Sequence, residues 1–207
     1  MGNVLKILSL KNLNKRPYIH GTSIVKGVLD ELWSSFSTFS DFEIRLKKPL
    51  MYQPNIVISE IEERNPLAVV TGKFYTNLTQ FYFNLIPSEL SCSDFIAVDE
   101  DLLTRRVYET ATDWSMDITP DDDAHVCINE VSKTSNQQLF AAQPGIVMSP
   151  KKQTWFVGCR IPSLSFLKTN IYKVGVSKTY RMLTPYCMER FILINDMIVG
   201  DRICVYA

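Results

Sequence analysis

Two histidines, five cysteines and two acidic triplets are the groups in this 207-residue chain that could carry chemistry. His20 and His125 are the only imidazoles, so a Ser-His-Asp or Cys-His apparatus must use one of them. His125 stands two residues before Cys127, and in a strand the pair would share a face. With no second histidine or matched cysteine beside it, His125 reads as a packed side chain rather than a ligand or base. The cysteines (Cys92, Cys127, Cys159, Cys187 and Cys204) are scattered, without a C-x-x-C pair, which suits neither a zinc site nor a disulfide framework. They are expected to be reduced, mostly buried thiols of a cytosolic protein. The triplets in VDEDLL (Asp99, Glu100, Asp101) and PDDDAH (Asp121, Asp122, Asp123) could offer hard oxygen ligands to Ca²⁺ or Mg²⁺. Neither has EF-hand spacing, and three adjacent carboxylates on a turn cannot all face one ion. Both read as solvated loops. Phosphate-loop, dinucleotide-binding, nucleophile-elbow and zinc-protease motifs are missing. The expectation is a protein without cofactor, metal site or enzymatic activity.

The basic residues are more suggestive. Lys6, Lys11, Lys15 and Arg16 fall in the opening MGNVLKILSLKNLNKR, which holds no acidic residue. SPKKQTWF sets Lys151 and Lys152 beside Trp155 and Phe156; Lys168, Lys173, Lys178 and Arg181 then run through LKTNIYKVGVSKTYR with Tyr172 and Tyr180. Basic groups interleaved with aromatic rings suit phosphates and bases, or anionic lipid headgroups. At roughly 1 kcal/mol per charge the four arm residues supply about 4 kcal/mol, millimolar binding that many copies in a lattice would strengthen. Net charge is zero, yet Lys/Arg against Asp/Glu runs 8 to 4 over residues 1–50, 4 to 15 over 51–130 and 10 to 3 over 131–207. Such asymmetry predicts faces of opposite sign and a homo-oligomer.

The elements that would position these groups follow from periodicity. Residues 1–20 read as a basic arm and 21–207 as a single β-rich globular domain led by a helix over 22–36. In TSIVKGVLDELWSSF, Ile24, Val25, Val28, Leu29, Leu32, Trp33 and Phe36 share one face, with Thr22 as N-cap. Gly27 weakens this helix by about 1 kcal/mol without an evident reason. After residue 40 the period becomes 2, in about eleven short segments that begin with FEIRLK and are bounded by Pro, Gly and Asn, HVCINEV and LFAA among them. NLT at Asn77–Thr79 tips a hairpin, and turns are expected at Asn195-Asp196 and Gly200-Asp201. The fold class is mainly β: an antiparallel sandwich, jelly-roll or barrel with one N-terminal amphipathic helix. Lys6 and Lys11 interrupt any signal-peptide core, and no apolar run spans a bilayer.

LKILSLK and the basic residues after it resemble the N-terminus of rhabdovirus matrix proteins, over residues 1–16. The resemblance implies a non-enzymatic viral structural or assembly protein that self-associates and meets an anionic membrane or ribonucleoprotein. Lys6, Lys11, Lys15 and Arg16 would then touch membrane. Host cytoplasm or virion, peripheral to membrane, is the location it implies. The alternative is a single-stranded nucleic-acid-binding module of movement- or packaging-protein type, using residues 151–181 to hold RNA.

Overall fold

The computed structural model describes residues 4–14, 16–143, 146, 154–165 and 169–206. It divides into two units: Met1–Val98 with Arg160–Pro162, and Asp99–Cys159 with Ser163–Ala207.

In unit 1 the expected helix forms as α1 (Gly21–Ser35), with Ile24, Val25, Val28, Leu29 and Leu32 buried. Its N-cap is His20 rather than Thr22: the imidazole accepts from the Thr22 backbone N–H, so one of the orphan donors of the first turn is satisfied one residue pair earlier than expected. The role of Gly27 also becomes clear. A Cβ there would overlap Cδ2 of Leu10, a core residue, so only glycine lets that side chain lie against the helix. The strands are β1 (Val4–Ile7), β2 (Asn12–Leu13), β3 (Ser40–Leu46), β4 (Tyr52–Ser59), β5 (Val70–Thr76), β6 (Thr79–Ser91) and β7 (Phe95–Ile96). The main sheet runs β1-β4-β6-β5-β3, while β2 and β7 form a small parallel pair. Since β1 and β3 stand at opposite ends of that order, the connection through α1 must cross the sheet. Phe36, just past the helix, packs its ring on Phe74 and Phe81. Phe42 stacks on Phe83, and each such buried side chain contributes about 1.5–3 kcal/mol. The β5–β6 hairpin turns at Asn77 and Leu78, both with positive φ, as the NLT reading anticipates.

Unit 2 contains α2 (Glu100–Arg106), β8 (Tyr108–Glu109), β9 (Asp113–Asp117), α3 (Ala124–Ala141), β10 (Thr154–Ile161, its last two residues counted with unit 1), β11 (Lys173–Thr184), β12 (Cys187–Ile194) and β13 (Met197–Tyr206). The order is β10-β13-β12-β11-β9-β8. Again the strands before and after the long helix stand toward opposite ends, and α3 packs on β11 and β9. HVCINEV and LFAA are therefore parts of α3, not strands. The helical period was obscured because the covered face of α3 is largely polar: Asn129, Glu130, Ser132, Ser135 and Asn136 are all buried beside Val126, Val131 and Phe140. The acidic triplets begin helices. Asp99 accepts from the Leu102 N–H, and Asp123 accepts from the N–H groups of His125 and Val126. The turn at Asn195-Asp196 forms with both residues at positive φ, but β13 runs straight through Gly200-Asp201.

The β-rich, antiparallel character of the chain is thus as read, with three helices rather than one and no closed barrel among the described residues.

Candidate functional site: a buried arginine row in unit 2

The inward register of β12 is Met188, Arg190, Ile192, Ile194, and that of β13 includes Arg202 and Cys204. Two arginines interrupt otherwise apolar faces, and the pairing sets Arg190 directly opposite Arg202. Both are almost wholly covered, at 2% and 3% exposure.

Their partners differ sharply. Between Val176 and Tyr180 the β11–β12 register slips, which takes carbonyls of β11 out of the ladder. Arg190 fills that gap. Its Nε donates to the Ser177 carbonyl oxygen at 2.9 Å, and Nη2 donates to the carbonyls of Ser177 and Val176 at 2.5 and 3.3 Å. From the other side Nη1 donates to Ser135 Oγ at 2.6 Å and Asn136 Oδ1 at 2.7 Å, both on α3. Asn136 is itself held by its amide, which donates to Ser132 Oγ at 3.1 Å. The guanidinium therefore ties the helix to the bulged strand, with its plane centre 5.0 Å from the Trp114 ring of β9. Burial pulls Arg190 down to about 9, and the like charge of Arg202 pushes the same way, so it stays protonated at neutral pH.

Arg202 is poorly satisfied by comparison. Its Nη1 donates to the Ile128 carbonyl oxygen at 3.4 Å, and its Nε has no acceptor among the described residues. Its charge centre lies 5.0 Å from the Phe156 ring of β10. Among the described residues neither arginine forms an ion pair with a carboxylate. Phe156, Arg202, Arg190 and Trp114 make an aromatic–cation–cation–aromatic row across the sheet, and Trp114 Nε1 is a second buried donor without an acceptor among the described residues. A donor-rich, acceptor-poor patch of this kind favours an anion or a polarised carbonyl oxygen.

Two acidic clusters flank α3 and are internally satisfied. Arg106 forks onto Asp122 at 2.8 and 2.6 Å, which, with the Thr119 donors, holds that carboxyl well below the usual range. Lys133 joins Glu100 at 2.8 Å and Glu130 at 3.2 Å, with Thr104 donating to Glu130. Burial of Asp113 is offset by hydrogen bonds from Ser115, Thr112 and Thr110, and the carboxyl lies below its ordinary value. Burial pushes the Cys127 thiol up to about 11. Among the described residues no group of three or more His, Cys, Asp or Glu could hold a metal ion.

Most of the described basic residues singled out from sequence meet an acidic or hydroxyl partner. Lys6 reaches the Glu31 carboxylate of α1 at 2.5 Å, Lys11 is exposed, and Arg16 donates to the Tyr18 hydroxyl at 3.5 Å; all three are in unit 1. In unit 2, Lys173 pairs with Asp196 at 2.6 Å over the Tyr108 ring, Lys178 with Glu109 at 2.6 Å over Trp114, and Arg181 with Glu189 at 2.7 Å. Asp196 holds Lys173 above its ordinary range. Trp155 is half-buried on β10, while Lys15, Lys151, Lys152 and Lys168 lie outside the described residues. Arg190 and Arg202 were missed by sequence reading. The signal that could have found them is an arginine in the inward register of an apolar strand.

No family model matches the chain, and no curated protein matches it either. Solved structures do. A monomeric dehydratase domain from a trans-AT polyketide synthase split module is 10% identical, with a TM-score of 0.50 over 99% of this chain and 97% of that one. A dehydratase domain of curacin polyketide synthase is 7% identical, also at 0.50, over 99% and 91%. An acyl-ACP thioesterase from Bacteroides thetaiotaomicron is 8% identical, at 0.46 over 100% and 97%. The two dehydratase-domain likenesses overturn the matrix-protein resemblance of residues 1–16 and, with it, the viral structural and nucleic-acid-binding readings. They also remove the ground for expecting a protein without enzymatic activity, since the fold is one that enzymes use. No helix among the described residues is long and apolar enough to cross a membrane. Each unit has the hotdog arrangement, a sheet crossed by one long helix, rather than the jelly-roll.

Proposed function

We propose that this protein is an enzyme of the dehydratase kind, eliminating water from a β-hydroxyacyl thioester. What carries the reading is that the chain's two imidazoles both stand at the N-terminal turn of the long helix of a unit, in a fold shared with dehydratase domains. His20 precedes α1 and His125 is the second residue of α3.

Elimination requires that a proton leave the carbon next to the carbonyl and that another reach the departing hydroxyl. Imidazole is the side chain whose ordinary titration range suits both tasks near neutral pH. We assign the base to His20. Its Nδ1 accepts from the Thr22 backbone N–H at 3.5 Å and meets Thr22 Oγ1 at 3.2 Å, which fixes the ring at the head of α1. Asp123, which orders the first turn of α3 at His125, is the carboxylate paired in sequence with the second imidazole.

The test uses a soluble 3-hydroxybutyryl thioester and follows the ultraviolet absorbance of the conjugated enoyl product. His20→Asn keeps an efficient N-cap while removing the base, so turnover should fall by about 10²-fold or more with the protein still folded. His125→Asn is run beside it. Absence of any elimination by the wild-type protein, or full activity in His20→Asn, would refute this assignment.

A further inference from the structure

We propose that Arg202 is the seat of a carboxylate-binding subsite in unit 2. This stands apart from the elimination reaction proposed above and does not depend on it.

The contrast between two opposed guanidiniums carries the inference. Arg190 and Arg202 face each other in register beneath one helix, at nearly equal burial. Arg190 is saturated, with donors directed to Ser135, Asn136, Ser177 and Val176. A guanidinium of that kind is a clamp, and its geometry leaves nothing for a ligand. Arg202 has the long contact from Nη1 to Ile128 and a buried Nε with no acceptor among the described residues. Buried charged donors are seldom left unmet, because a charge withdrawn from water loses its hydration without replacement. Phe156 offers Arg202 a ring face, which attracts the cation but accepts no in-plane N–H. The side-on edge, Nε with the adjacent Nη2, is the edge that matches the two oxygens of a carboxylate.

The surroundings suit that ligand. Two like charges meet with no carboxylate from the described residues between them, so one negative charge would relieve both. The wall near Arg202 is small: Cys204 follows it on the same face of β13, and its Sγ lies 3.9 Å from Ser132 Oγ of α3. Both are weak donors that complement, rather than repel, an anion. A planar monocarboxylate fits these features better than a tetrahedral phosphate, for which a single fork edge provides too few donors.

Acetate is the probe, added to the full chain against sodium chloride and inorganic phosphate at matched ionic strength. The Nε–H resonance that disappears in Arg202→Lys identifies the group by NMR. Acetate should move it saturably and raise the Tm of the wild-type protein, while chloride and phosphate should do neither. Arg202→Met should fold, should be at least as stable as wild type in acetate-free buffer, and should lose the acetate response entirely. Arg202→Lys should weaken acetate by about tenfold or more, since an ammonium cannot reproduce the fork. An unmoved Nε–H resonance, equal responses to the three anions, or an acetate response that survives in Arg202→Met would each overturn the proposal. If Arg202→Met does not fold, the wild-type titration alone decides.

Discussion

Replacing Asn136 with Ala tests whether Arg190 ties α3 to the bulged strand. The substitution removes the acceptor 2.7 Å from Arg190 Nη1 and the donor 3.1 Å from Ser132 Oγ. A hydrogen bond from a charged donor contributes about 2 kcal/mol, and the neutral bond about 1 kcal/mol, so the expected loss is about 3 kcal/mol. That is roughly a hundredfold in the folded-to-unfolded ratio. With a urea slope of about 2 kcal/mol per M, the midpoint should fall by about 1.5 M. The decisive quantity is a coupling. In an Arg190→Met background the same change should cost only the neutral share, leaving an interaction energy of about 2 kcal/mol between the two positions. Urea denaturation of the four proteins in the cycle, followed by tryptophan fluorescence, measures it. An interaction below about 0.5 kcal/mol would mean that Asn136 and Arg190 do not act together and that the clamp is a misreading.

Three further outcomes are expected. Asp122→Asn should cost about 2 kcal/mol at neutral pH by breaking the fork with Arg106. Because the folded carboxyl titrates below its unfolded value of 3.8, this contribution is complete above that pH and is lost as pH falls through the folded value. Denaturation curves should therefore show the gap between wild type and variant closing in acid, and a gap that stays constant with pH would count against the pair. Cys127, covered and with its thiol pushed up to about 11, should alkylate at mildly alkaline pH only after the half-covered Cys92 and Cys187, as mass spectrometry of timed samples would reveal. Equal labelling rates would contradict its burial. Gly27→Ala should destabilise by about 1 kcal/mol although alanine is the better helix former, because overpacking against Leu10 costs more than the propensity gain. Thermal denaturation checks the sign, and a rise in Tm would show that Leu10 moves aside freely.

Much of the local structure was open to reading from the chain alone. The stripe from Ile24 to Leu32 dictates α1, since an apolar face at helical spacing has to be covered, and FEIRLK alternates as an antiparallel strand must. The Asn195-Asp196 turn follows from residues that tolerate positive φ. Periodicity speaks only through apolar residues, however. Where a covered face is polar, as on α3, the pattern is silent, and short stretches such as HVCINEV pass for strands.

Charge counted along the chain is silent on pairing for a related reason. Lysines counted along the chain suggested a basic surface, but a count carries no information about which carboxylate a fold brings alongside. Glu31, Glu109, Asp196 and Glu189 come from elsewhere in the sequence to meet Lys6, Lys178, Lys173 and Arg181. Composition and alternation determined that this would be a β-rich chain with a covered N-terminal helix. Only the tertiary structure decided that Arg190 and Arg202 would stand opposite each other under α3. Strand register, the bulge in β11 and the crossing of the helix are long-range events, and they decide which polar groups are buried together and which are left without a partner.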